Sequence, residues 1–223
     1  MKKQNVNITL LASLVTGLLT LSQGAMAAGS PATTVDFRAK VQETSCNVSA
    51  APAGGSVNMQ FGKIALSDFP GGTDTPVGGA NYKLLTSTVT PVTLNVSGCT
   101  GDAFAVGKGL VMQVNGNGAV GAANDIYGDS NTDQGFGFAL GYDITDNTTD
   151  AGTKADNGTT TPTTGFITPA TNMLTLYSAK TVNVTDTSSL NFDVTIKPQV
   201  GSWGQNQQTV TLTTPVTFTV AMN

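Results

Sequence analysis

The chain concentrates its carboxylates. Asp125, Asp129, Asp133, Asp143, Asp146, Asp150 and Asp156 fall in one stretch and make up half of the 14 acidic residues. A pair of carboxylates at the right separation can hydrolyse a glycosidic bond, one as acid and one as base or nucleophile. Such a site needs a cleft with aromatic walls, and only Tyr127, Phe136, Phe138 and Tyr142 lie nearby in sequence. A solvated acidic loop accounts for the run more simply, so a secreted glycosidase is the remote alternative. Within the run, Asp129-Ser130-Asn131-Thr132-Asp133-Gln134-Gly135 follows the first half of a calcium loop. That loop requires a bidentate carboxylate at its twelfth position, which here is Leu140. Asp, Asn and Gly are also ordinary turn residues, so no metal site is expected.

The rest of the inventory argues against catalysis. Histidine is absent, which removes the commonest general base and metal ligand and every Ser-His-Asp or Cys-His arrangement. Neither a nucleophile elbow nor a phosphate-binding P-loop motif occurs. Charged residues are 11% of the chain, against about 25% in ordinary domains. Arg38 is the sole arginine and Glu43 the sole glutamate. With 10 basic residues and a pI near 4.5, the basic footprint of a nucleic-acid binder is missing. The chain reads as a non-enzyme, with no catalytic residue and no cofactor. The Asn-x-Ser/Thr sequons at Asn47, Asn95, Asn147, Asn157 and Asn183 reflect the abundance of Asn and Thr. Trp203, the only tryptophan, is either a core anchor or a surface contact.

The start of the chain is a targeting segment. Met1-Lys2-Lys3 is basic, Ile8 to Leu21 is mostly apolar, and Ala25-Met26-Ala27 offers a small-x-small cleavage site. This is the layout of a secretory signal peptide over residues 1–27. The apolar run falls short of the roughly 20 residues a membrane span needs. Cleavage after Ala27 leaves residues 28–223. Two cysteines, Cys46 and Cys99, remain. In an exported chain an even count reads as a disulfide, two buried free thiols being the other reading.

These residues must be carried by strands, because helical periodicity is nearly absent. Apolar and polar residues alternate at Val35 to Val41, Val57 to Phe61, Val89 to Val96, Gly109 to Val114 and Phe136 to Tyr142. They alternate again at Met173 to Tyr177, Leu190 to Ile196, Thr209 to Leu212 and Val216 to Val220. Val and Thr dominate, and both favour strands. Many short strands with one buried face predict an all-β sandwich. The region from about 116 to 164 is rich in Gly, Asn, Asp and Thr. It is expected to be a loop-rich insertion around a hairpin rather than a second domain.

The two ends of the mature chain are the informative part. Thr34-Val35-Asp36-Phe37-Arg38-Ala39-Lys40-Val41 has the form T-V-x-F-x-small-x-V, and Cys46 follows. Cys99 closes the alternating Thr93-Leu94-Asn95-Val96-Ser97-Gly98. The chain ends on Val216-Thr217-Phe218-Thr219-Val220-Ala221-Met222-Asn223. Taken together, and across the whole mature chain, these features resemble the structural subunits of chaperone–usher fimbriae, similar to type 1 and P pilus rod subunits. It departs from the family's usual pattern at Ala39, where glycine is common, and at Met222, where tyrosine is.

The resemblance implies an incomplete immunoglobulin-like β-sandwich that lacks its last strand and is completed by donor-strand exchange. Residues 28–44 would be the N-terminal donor extension and 45–223 the pilin domain. Thr33, Val35, Phe37, Ala39 and Val41 would be the donor residues. Val216, Phe218, Val220 and Met222 would border the acceptor groove. Burying Val35, Phe37 and Val41 would contribute roughly 5–9 kcal/mol before any backbone pairing. The implied partners are identical or related fimbrial subunits, a periplasmic chaperone and an outer-membrane usher. The protein would pass through the periplasm of a Gram-negative bacterium to the cell surface and support adhesion. A receptor-binding adhesin using the 116–164 loops on a host receptor is the alternative.

Overall fold

The computed structural model describes residues 34–39, 46–51, 56–60, 68–69, 73–85, 91–100, 105–128, 135–149, 162–203 and 213–222. Fourteen strands and no α-helix occur among them. In chain order they are β1 (Thr34–Ala39), β2 (Asn47–Ala51), β3 (Ser56–Gln60), β4 (Thr73–Val77) and β5 (Ala80–Leu85). Then come β6 (Val92–Ser97), β7 (Gly109–Gly116), β8 (Ala119–Val120), β9 (Ile126–Tyr127) and β10 (Phe136–Asp146). The last are β11 (Thr164–Ile167), β12 (Met173–Ser178), β13 (Phe192–Ser202) and β14 (Thr213–Met222). The protein is all-β, as its alternating pattern predicts. The expected strand at Thr209 to Leu212 lies outside the described residues, as do residues 1–27.

The strands form two sheets. The five-stranded sheet runs β12-β7-β14-β1-β3. The nine-stranded sheet follows β2-β6-β13-β10-β9-β8, with β11 on β10, β5 on β13 and β4 on β5. Nearly all pairs are antiparallel; β1 and β14 are parallel. Both sheets feed one core. β7 and β14 supply Leu110, Met112, Val114, Val216, Phe218 and Val220. The opposing β6, β10 and β13 supply Leu94, Val96, Phe138, Leu140, Val194 and Ile196. The two ends of the molecule can be fixed from cross-sheet contacts. Tyr177 of β12 meets Phe192 of β13 at 6.1 Å between rings, which marks one end. A Cβ on Gly116 of β7 would strike the ring of Tyr127 in β9, which marks the other.

β10 is buried on both faces over Phe136–Tyr142, unlike a strand with one wet side. Phe138 and Leu140 face the main core, while Ala139 belongs to a second cluster with Val77, Tyr82, Leu84, Val120 and Ile126. This second core exists because part of the stretch expected to be loops is sheet. β8 and β9 pair with each other and carry the sheet on from β10. Gly137 is needed beneath them, since a Cβ there would lie 2.8 Å from both Ile126 Cδ1 and Val120 Cγ2. Trp203 is half-buried on this cluster and stands edge-on to Tyr82, 6.1 Å between ring centroids.

Candidate functional site

The candidate site is the row of backbone groups along β14 and the strand that covers it. β14 alternates strictly: Thr214, Val216, Phe218 and Val220 are buried, while Pro215, Thr217 and Thr219 are half-exposed. Val216, Phe218 and Val220 lie in the main core, and Met222 is partly buried against it. Their shared face follows from the period of two along a strand. On one side β14 pairs antiparallel with β7 from Val216↔Gly116 to Met222↔Leu110. Pro215 has no amide hydrogen to donate, and it sits just before that ladder begins.

On the other side lies β1. It runs parallel to β14, with Val35 opposite Thr214, Phe37 opposite Val216 and Ala39 opposite Phe218. It also runs antiparallel to β3, with Val35 opposite Met59 and Phe37 opposite Val57. Val35, Phe37 and Ala39 therefore occupy register positions beside the buried residues of β14. Thr33 and Val41 lie outside the described residues. β1 is a wedge in the middle of a sheet: without it, β14 and β3 would each present an open edge. An open, apolar strand edge is a template for pairing with another chain.

The Thr214 hydroxyl is buried beside β1 with no hydrogen-bond partner. Leaving a buried donor unpaired costs about 1–3 kcal/mol.

The Cys46–Cys99 disulfide is formed and both residues are buried. Cys46 directly precedes β2, which pairs with β6 from Asn47↔Ser97 onward. The bridge pins the point at which the N-terminal segment joins the domain, seven positions after Ala39. Thr187 donates its hydroxyl to the Cys99 carbonyl at 3.4 Å, which places the bridge at the Tyr177–Phe192 end.

Of the acidic run, Asp125, Asp143 and Asp146 are described; they are spread out, and each has its own partner. Asp125 was expected on a solvated loop but is 4% exposed. Its carboxylate accepts the Tyr82 hydroxyl and, at 2.9 Å, the Gly79 amide. That amide belongs to the tight turn joining β4 to β5, where Gly78 has φ of 60°. Asp125 thereby clamps the β4–β5 hairpin to the β8–β9 turn, a contact between distant segments that local sequence does not reveal. Burial pushes the Tyr82 phenol up, and the neighbouring carboxylate adds to the shift. Burial alone does the same to Tyr127, whose hydroxyl has no partner. Asp143 pairs with Lys197 at 3.3 Å on a half-exposed face. Asp146 accepts the Thr148 amide at 2.9 Å in an Asx turn. Asp129, Asp133, Asp150 and Asp156 lie outside the described residues. Among the described residues no group of three or more Cys, Asp or Glu side chains could hold a metal ion, and no helix is long and apolar enough to cross a membrane.

Comparison with protein-family models found no match, and comparison with curated proteins found none either.

Proposed function

We propose that the protein is a structural subunit of a surface fimbria that polymerises by exchanging its N-terminal strand. The observation that carries this reading is β1. It is the strand nearest the mature N-terminus, yet it sits between the C-terminal strand β14 and β3, in the middle of a sheet. A strand at a chain end, flanked on both sides and joined to the disulfide by a short segment, can be withdrawn without unravelling the rest. The same strand from a second copy could fill the place it leaves. Backbone ladders would supply affinity and alternate side chains would supply fit, as in β-strand addition generally. Each copy offers one strand and one slot, so the contact is heterologous and extends into an open filament.

In this reading the fold is an immunoglobulin-like sandwich short of one strand of its own, and β1 or its equivalent completes it. The signal segment directs export. A periplasmic chaperone and an outer-membrane usher would hold the slot open and deliver the next strand. The low charged fraction, 11%, fits a protein whose work is backbone pairing and pocket filling.

The test is polymerisation of the purified mature chain, followed by electron microscopy, with and without residues 28–41. The intact chain should form filaments. The truncated chain should bind a filament end and stop its growth. Filaments built from the truncated chain alone would overturn the reading.

A further inference from the structure

Asn115-Gly116, Asn117-Gly118 and Asn157-Gly158 each place an asparagine directly before a glycine. Such a pair is prone to lose its side-chain amide, because glycine has no Cβ to shield its own backbone nitrogen. That nitrogen can attack the carboxamide carbon once the asparagine backbone rotates to bring the two together. The first two pairs are adjacent in sequence, and the structure separates them. The third lies outside the described residues.

Asn115-Gly116 is held. Both residues belong to β7 and pair with β14, Asn115 opposite Thr217 and Gly116 opposite Val216. Asn115 Oδ1 also accepts from Asn172 Nδ2 at 3.5 Å. Gly116 lies beneath the ring of Tyr127, where a Cβ would stand 2.4 Å from Tyr127 Cδ1. Rotating Asn115 to close a ring would pull Gly116 away from both β14 and Tyr127. Asn117-Gly118 lacks these restraints. Both residues are exposed. They follow the last ladder pair and carry the chain from β7 in the five-stranded sheet to β8 in the nine-stranded sheet. The Asn117 amide donates to the Pro215 carbonyl at 3.4 Å, a long bond, and that amide is not the attacking nitrogen. Gly118 has φ of 67°, a conformation that glycine adopts without strain. The crossing therefore calls for the very residue that leaves the nitrogen unshielded.

We propose that Asn117 is a site of spontaneous modification, deamidated through a cyclic imide while the protein stays folded. The Gly118 nitrogen gives up its proton to water and bonds to Asn117 Cγ, and the side-chain nitrogen leaves as ammonia. Water then opens the imide. Attack at the side-chain carbonyl gives aspartate; attack at the main-chain carbonyl gives isoaspartate. The net change is one water consumed and one ammonia released. Either product adds a negative charge at the crossing between the sheets, and isoaspartate also lengthens the backbone there by one methylene. Asn115 can react only from states in which β7 has parted locally from β14. Opening even two ladder hydrogen bonds lowers that population about tenfold or more, so Asn115 is protected in the fold and Asn117 is not.

The experiment ages the purified mature chain in warm neutral buffer, folded in one arm and unfolded in urea in the other. Isoaspartate is labelled with an isoaspartyl methyltransferase, and tandem mass spectrometry with cleavage between the two asparagines assigns each product. In the folded chain, conversion at Asn117 should exceed that at Asn115 by about tenfold or more, the factor set by ladder opening. In urea the two should convert at similar rates, since each then precedes a glycine in an unrestrained chain. Asn117→Gln, a change at an exposed side chain, should remove the product at this crossing and leave Tm unchanged. Equal conversion of Asn115 and Asn117 in the folded chain would overturn the proposal. So would an Asn117 that converts in urea and stays intact in the folded chain.

Discussion

Removing residues 28–41 deletes β1 and should lower stability without unfolding the domain. β1 is paired at six positions with β14 and at five with β3. At about 0.5–1.5 kcal/mol net per hydrogen bond and roughly one bond per position, the ladders contribute on the order of 5–16 kcal/mol. Ordering six residues costs about 6–12 kcal/mol. The backbone terms nearly cancel, with about 2 kcal/mol left at their midpoints. Val216 and Phe218 are 0% and 1% exposed beneath the strand, and baring half of each costs roughly 2 kcal/mol together. The net loss is about 4 kcal/mol, below the 5–15 kcal/mol typical of whole domains. For a domain of this size that shifts Tm by about 8–16 °C. Differential scanning calorimetry of the intact and truncated chains measures the shift. A synthetic peptide of residues 28–44, added at saturation, should restore it, because a strand that binds only the folded state raises its stability. An unchanged Tm would show that β1 contributes nothing to the sheet. A lowered Tm that the peptide fails to restore would show that the slot does not accept a strand supplied from outside.

Other perturbations test individual parts of the site. Thr214→Val keeps the shape of the side chain and removes a buried hydroxyl without a partner. It should stabilise the isolated chain by about 1–2 kcal/mol in urea titration, and a loss of stability would mean the hydroxyl is satisfied. Tyr82→Phe removes the phenol's hydrogen bond to the buried Asp125 carboxylate and leaves the one from the Gly79 amide. It should cost about 1.5–3 kcal/mol and loosen amide exchange in the β4–β5 hairpin first; protection lost evenly across the domain would contradict a local clamp. The phenols of Tyr82 and Tyr127 are both raised above 10.0 by burial. Their contribution is fully present below pH 10 and is lost above it, as the unfolded phenols ionise and the folded ones stay neutral. Stability should fall by about 1.4 kcal/mol per pH unit for each of them. Two-wavelength monitoring of tyrosine ionisation and unfolding tests this, and phenols that titrate near pH 10 while the domain stays folded would refute it.

The strands most legible in the sequence were those with one buried face. Val216, Phe218 and Val220 lie in the core as their spacing predicts, and the two cysteines pair. Period-two alternation and an even cysteine count are local signals, and they suffice there. The 116–128 stretch was less legible. β8 and β9 are two residues each, too short to show a period. They hold because Val120 and Ile126 fill the space above Gly137, and that space exists only once β10 is paired. Asp125 looked like its solvated neighbours because its partners, Gly79 and Tyr82, are more than 40 positions away. The β4–β5 hairpin also lacks a clean alternation. Its Gly78-Gly79 turn carried a recognisable signal, and the positive φ of Gly78 bears it out. The pairing of β1 with β14 joins residues from the two ends of the chain, which no local pattern can encode.

The parallel sense of β1 follows from its tether. Ala39 is seven positions from Cys46, a reach of at most about 25 Å. Cys46 is fixed by its disulfide at the end of the molecule where β14 finishes. Laid parallel, β1 ends opposite Phe218 with its chain already heading toward that end. Laid antiparallel on the same stretch of β14, Ala39 would stand opposite Thr213. It would then have to return along the ten residues of β14, about 30 Å, and cross to the other sheet, about 10 Å more. The linker cannot span that. Under the proposed exchange, a strand arriving from a second copy would have its tether on a body that can move, so it would be free to take the same slot in either sense. The chain's own strand is therefore confined to one orientation, and the other remains open only to a neighbour. Exchange between them would be a change of strand direction as well as of strand, so the two closures need not satisfy the same atoms.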